Sequence, residues 1–250
     1  MTLLNVERIK LFSTRSPYWC LGLIPVIGVG ITLLTSLSDS GAGAGLASSQ
    51  RWVGFAMTIV MVMAALSITT EYRFGTIRNS FLAMPGRTSM LVAKAALLGI
   101  ISFVVVELTS LATYFLGKAV HGSATLPTAF DLTSATDYRA IWGPGLISAL
   151  AAVLAVGVGT LIRQSAGAIA LLLLWPLLVE NLFLLFGSFG RNVQPWLPFG
   201  ASGQFFAVNE PNPFQIGIAG PNWWQGGLIF AGTALVLVLL ALLSAKKRDA

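Results

Sequence analysis

The stretch EYRFGTIRNSFLAMPGR, Glu71–Arg87, sets four charged residues and two glycines between two long apolar runs. A charged side chain at the centre of a membrane-spanning helix costs about 3 kcal/mol, so Glu71, Arg73, Arg78 and Arg87 belong in water. The runs on either side then read as crossings, and the stretch as the connection between them. A helix in this connection ends at or before the residue ahead of Pro85.

Composition extends that reading to the whole chain. Hydrophobic residues make up 56% and charged residues 10% of the 250 residues, with a mean hydropathy of +0.82. A soluble domain carries about 25% charged residues, so the sequence predicts an all-α polytopic membrane protein. Each crossing takes about 20 residues, and six apolar runs are long enough. They span about Tyr18 to Leu37, Trp52 to Thr70, Leu91 to Gly117, Ile141 to Ile162, Ala168 to Phe186 and Trp224 to Leu243. No room is left for a folded ATPase domain.

Residues 1–17 are expected to hold a helix lying in the membrane surface, with Leu3, Leu4, Val6, Ile9, Leu11 and Phe12 interleaved with Glu7, Arg8 and Lys10. Residues 18–250 form a single six-helix transmembrane domain. Within it, 71–90 is the charged inner segment and 187–223 a long outer loop containing an interfacial or re-entrant piece. Trp52 is expected in an interfacial aromatic belt, and Pro176 is expected to kink the fifth crossing. Gly143, Gly145, Ala151, Ala152, Gly157 and Gly159 make the fourth crossing a surface that neighbouring helices approach closely.

Orientation follows from the cations. With the N-terminus inside, Arg8, Lys10, Arg15, Arg73, Arg78, Arg87, Lys94, Arg163, Lys246, Lys247 and Arg248 face inward, against Arg51, Lys118, Arg139 and Arg191 outward. Eleven against four places both termini in the cytoplasm. These cations are read as topology signals, so the net charge of +6 does not imply nucleic acid. The lipid bilayer is the expected surrounding.

The sequence lacks the G-x-x-x-x-G-K-[ST] loop that ATP hydrolysis requires, and it has no H-E-x-x-H or G-x-S-x-G signature. No catalytic residue, metal ligand or bound cofactor is assigned, and the chain is not expected to be an enzyme. Cys20 reads as a packing residue, and His121 has no partner at metal-ligand spacing. Glu107 and Glu180 lie inside crossings and must face protein or water. Their readings are an interhelical hydrogen bond from a protonated carboxyl, a group in a translocation path, or a proton relay.

The co-occurrence of Glu71, Arg73, Gly75, Thr76, Arg78 and Pro85 after the second span resembles the type 2 ABC exporter permease family, whose subunits have six spans. The resemblance is sharpest over Glu71–Arg87. It implies that this inner segment is a coupling helix seated on a separate ABC ATPase, present in two copies, with ATP and Mg on that partner. It also implies a second permease copy or a related permease, and a bacterial plasma membrane. The cargo would be hydrophobic or amphipathic, a drug, peptide or lipid, moved outward. Arg163 offers a second, smaller ATPase contact or a topology anchor. WPLLVENLF around Glu180, followed by WLP, resembles the fifth crossing and outer loop of the same family. Two other readings stand beside this one: a proton-coupled secondary transporter using Glu107 and Glu180, and a non-transporting membrane subunit that assembles partners.

Overall fold

The computed structural model describes residues 3–38, 45–76, 87–121, 130–206 and 220–248. These residues are helical, with no strand among them. The elements that matter are α1 (Leu3–Phe12), α2 (Ser16–Ser38), α3 (Leu46–Ser49), α4 (Val53–Arg73), α5 (Arg87–His121), α6 (Ala135–Ile162) and α7 (Ser165–Leu174). After irregular turns come α8 (Gly187–Val193), α9 (Pro198–Phe206) and α10 (Trp223–Arg248). Six helical stretches are long and apolar enough to cross a membrane: 16–37, 46–73, 88–120, 135–162, 165–196 and 223–245. The chain is a multi-pass, all-α membrane protein.

Hydrophobicity alone cannot hold such helices together, because lipid is as apolar as leucine; close backbone approach and hydrogen bonds do more. The fourth crossing, α6, supplies the close approach. An added Cβ at Gly145 would lie 2.5 Å from Glu107 Oε2 on α5, and one at Gly159 2.5 Å from Ile68 on α4. At Gly157 it would lie 3.0 Å from the Leu237 backbone on α10, and at Gly143 2.6 Å from Phe206 on α9. The expectation drawn from these small residues holds: α6 is the buried centre of the bundle.

The end of the bundle where α4 begins is tied by polar groups. Trp52 is fully buried and its Nε1 donates to the Ser49 carbonyl at 3.0 Å and to Thr113 Oγ1 at 3.2 Å. The belt position expected for Trp52 is therefore wrong: the indole found two partners inside the bundle, and Gly28 leaves room for its ring. Ser110 Oγ is placed between Gln50 Oε1, at 3.1 Å, and the Ile141 carbonyl, at 2.8 Å, which links the start of α4 to α5 and α6.

The fifth crossing is broken. Its α-helix gives way at Trp175–Val179 to a π turn, where Pro176 supplies no N–H, followed by 3-10 turns at Phe183–Phe186. Gly187 has φ of 63° and lets the chain turn back. Gly190 then packs directly on the Phe183 carbonyl, where a Cβ has no room. The helical run continues to Trp196, beyond the expected end at Phe186. α9 follows, wedged against α6 and α10: Arg139 Nε donates to the Phe205 carbonyl at 2.8 Å, and its guanidinium lies over the Trp223 ring at 4.8 Å.

Candidate functional site

The C-terminal end of α4 gathers most of the charge chemistry. Glu71 and Arg73 form its last turn; they are the end of the second crossing rather than part of a separate surface helix, because the α4 hydrogen-bond ladder runs on to Arg73. Gly75 stops it. With φ of 69°, Gly75 adopts the left-handed conformation that ends helices, and its N–H donates to the Tyr72 carbonyl at 3.3 Å. Thr76 Oγ1 reaches back to the Glu71 carbonyl at 3.4 Å. At the far end of the expected segment, Arg87–Met90 are already the first turn of α5. Arg78 and Pro85 lie outside the described residues.

Glu71 faces inward, into a ring of alternating charge. Lys94 Nζ on α5 lies 2.6 Å from Glu7 Oε2 on α1 and 2.9 Å from Glu71 Oε1. Lys10 Nζ lies 2.9 Å from Glu7 Oε1 and 3.7 Å from Glu71 Oε1. The side chains of Glu7, Lys94 and Glu71 are 2%, 5% and 11% exposed, and that of Lys10 33%. Charges so deeply placed need partners, and two acids with two bases supply them. Three elements of separate sequence origin thus meet at one ionic knot.

A fourth element joins on the other side of α4. Arg163, in the turn between the fourth and fifth crossings, has φ of 59° and sets its guanidinium 5.1 Å from the Tyr72 ring centroid. Ser165 Oγ, just beyond, is 2.9 Å from Thr69 Oγ1. Arg73 points outward instead, exposed, with its guanidinium 5.6 Å from the Phe74 ring centroid. The acid and the arginine of the motif therefore divide their tasks: Glu71 is held inside and Arg73 is presented. Among the described residues a cavity of about 490 Å³ adjoins the knot, walled by Lys10, Leu11, Met63, Leu66, Glu71 and Lys94.

Sequence reasoning missed Glu7, Lys10 and Lys94 as a set with Glu71. Only Glu7 and Lys10, three residues apart on α1, have a spacing signal; the contacts to Lys94 and Glu71 join residues far apart along the chain. Tyr72, which the resemblance leaves outside its pattern, is the seat for Arg163.

The two intramembrane acids occupy different settings. Glu180 is buried where the fifth crossing breaks, and its oxygens accept from the backbone N–H groups of Phe199, at 2.9 Å, and Gly200, at 2.8 Å. It caps the N-terminus of α9, where unpaired N–H groups and the helix dipole favour an acceptor. This is a helix cap rather than a bridge donated by a protonated carboxyl. Glu107 is also buried, against Gly145. The Gly145 N–H approaches it, yet neither oxygen completes a hydrogen bond. Ser102 and Ser148, on the same two crossings, are buried hydroxyls without hydrogen-bond partners. Glu107 lies against Gly145 of α6 and Glu180 bonds the start of α9, so the two acids have different neighbours.

Two apolar cavities flank α9. One of about 310 Å³ lies between Phe55, Met57 and Met61 of α4 and Pro176, and one of about 300 Å³ between Leu154, Leu171, Trp175 and Leu237; Phe199 lines both. No group of three or more His, Cys, Asp or Glu suited to a metal ion occurs among the described residues. Comparison with protein-family models gives no match, and comparison with curated proteins gives none.

Proposed function

We propose that the chain is the transmembrane permease subunit of an ATP-driven exporter of the type 2 ABC class, which moves a hydrophobic or amphipathic cargo outward while a separate ATPase hydrolyses ATP. The observation that carries this reading is the anchorage of α4. Its inner end is joined by side chains to α1, α5 and the turn after α6, through Glu71 and Tyr72 at the start of the stretch of the resemblance. A push on that stretch meets a braced platform, which is what a coupling element needs. The apolar cavities beside Phe199 support a cargo without dense polar recognition. A second permease copy and two ATPase copies complete the proposed assembly, with both termini cytoplasmic.

The test is copurification and ATP-dependent export measured in the same membranes. Reversing both Arg73 and Arg78 to Glu should weaken ATPase association, since like charges at a docking surface shorten the life of a complex. Normal export from that double reversal would reduce the segment to an ordinary connection.

Glu107 favours a second reading, proton-coupled transport. A buried carboxyl without a hydrogen bond, between crossings that bear two more unpartnered hydroxyls, suits a group that takes up and releases a proton. Transport that follows an imposed pH gradient, persists without ATP and fails on Glu107→Gln would select it.

A further inference from the structure

We propose that Lys94 is a positioning residue whose ionic knot makes α1, the inner end of α4 and the start of α5 move as one body. The role in transmission rests on the exporter reading above; the mechanical unity of the three elements does not.

The argument starts from connectivity. α1 packs against the bundle mainly by Leu11 and Phe12, and its outward side carries Arg8 and Ile9 in the exposed class. A ten-residue helix is marginal alone in water, so its place depends on what it touches. Its deepest side chain is Glu7, and the shortest polar contact of Glu7 is to Lys94, on a different helix. Lys94 also holds Glu71, so a single ammonium joins α1 to α4 across α5. Lys10 closes the ring from the other side.

The alternation makes the ring selective. Each acid faces two bases and each base two acids, so removing Lys94 leaves two largely buried acids sharing one partly exposed base, the costly case for an ion pair. Glu71 cannot shift outward without drawing Lys94 from Glu7 or dragging α1 with it. Displacement arriving just after Glu71 is thereby shared with the N-terminal helix and the third crossing.

The reporter is Leu11→Cys in a Cys20→Ser background, read as the rate of maleimide labelling in membranes. Lys94→Met should raise that rate by at least about tenfold, as the buried face of α1 opens. Glu7→Gln, which keeps the shape and removes the charge, should act in the same direction and covers the case in which Lys94→Met fails to fold. The fourfold reversal Glu7→Lys, Lys10→Glu, Glu71→Lys, Lys94→Glu restores the alternation and should bring labelling back towards the parent. Parent-like labelling in both Lys94→Met and Glu7→Gln overturns the proposal.

A second measurement separates the two layers. If an ATPase copurifies with the parent, Lys94→Met should retain it while export falls, because the Lys94 side chain is buried whereas Arg73 is exposed for docking. Retained export with raised labelling overturns the transmission role. Absence of any ATPase from the parent counts against the exporter reading, and the labelling result then still decides whether the three elements form one body.

Discussion

The carboxylate of Glu180 and the backbone N–H of Gly200 meet at 2.8 Å across a break in the fifth crossing. With the companion bond from Phe199 at 2.9 Å, both carboxylate oxygens are used as acceptors. This fixes α9 to the C-terminal half of a helix that has lost its regular ladder.

Glu180→Gln should therefore be poorly tolerated. The amide offers one acceptor and one donor where the site presents two donors, so one N–H of α9 is left facing an NH₂ group. The expected loss is about 1–3 kcal/mol, seen as a lower unfolding temperature in detergent, with Glu180→Leu at least as severe. An unchanged unfolding temperature for Gln would show that the cap contributes nothing.

Gly145→Ala should destabilise the packing of α5 on α6, because the new methyl would lie 2.5 Å from Glu107 Oε2. Overpacking of this kind costs about 1–3 kcal/mol. Shortening Glu107 to Ala removes the nearest obstacle and leaves its Cβ at 3.1 Å and Phe103 at 3.2 Å, so the double variant should be more stable than the sum of the single effects predicts. Additive effects would mean that the two residues do not meet.

Gly75→Asn should be mild and Gly75→Ala worse, by about 1–2 kcal/mol, since a left-handed residue with a plain Cβ is strained. Gly75→Pro is a different change: proline cannot take φ of 69° and has no N–H for the Tyr72 carbonyl. Under the exporter reading it should leave a bound ATPase whose hydrolysis no longer moves cargo. Full transport by the Pro variant would rule out a mechanical role for this turn.

Trp52→Phe keeps an aromatic side chain, drops one of the two fused rings and deletes the Nε1–H that serves the Ser49 carbonyl and Thr113 Oγ1. The Ser49 carbonyl keeps Thr32 Oγ1 as a donor at 3.2 Å, so the buried acceptor left without its donor is Thr113 Oγ1, at a cost of about 1–3 kcal/mol. The measurement is thermal unfolding, paired with Thr113→Val. If the indole bond is the cause, the second substitution should add little once Trp52 is Phe.

Much of the fold was legible because the bilayer makes hydrophobic length a strong signal: each of the six runs became a crossing, and the small residues of α6 became its contact face. Helix ends were less legible. Glu71 and Arg73 carry charge and so read as connection, yet backbone hydrogen bonding carried α4 through them to the glycine that stops it. Trp52 was misread because an indole at the edge of an apolar run suits an interface as well as a core; only its two acceptors, one of them sixty-one residues away, decide between them. The ionic knot was hidden more thoroughly. Lys10 and Lys94 look like orientation signals, and Glu7 like one face of a surface helix, until the fold sets them against Glu71. The cap role of Glu180 was equally invisible, since its partners are backbone groups and leave no mark in side-chain identity.

The glycines of α6 have a mechanical consequence. Gly143, Gly145, Gly157 and Gly159 meet four different neighbours, α9, α5, α10 and α4. Turning α6 about its own axis would drive each neighbour's atoms into the rim of its notch. The fourth crossing is in that sense the stator of the bundle: any rearrangement that opens a path must be made by the other helices moving around it.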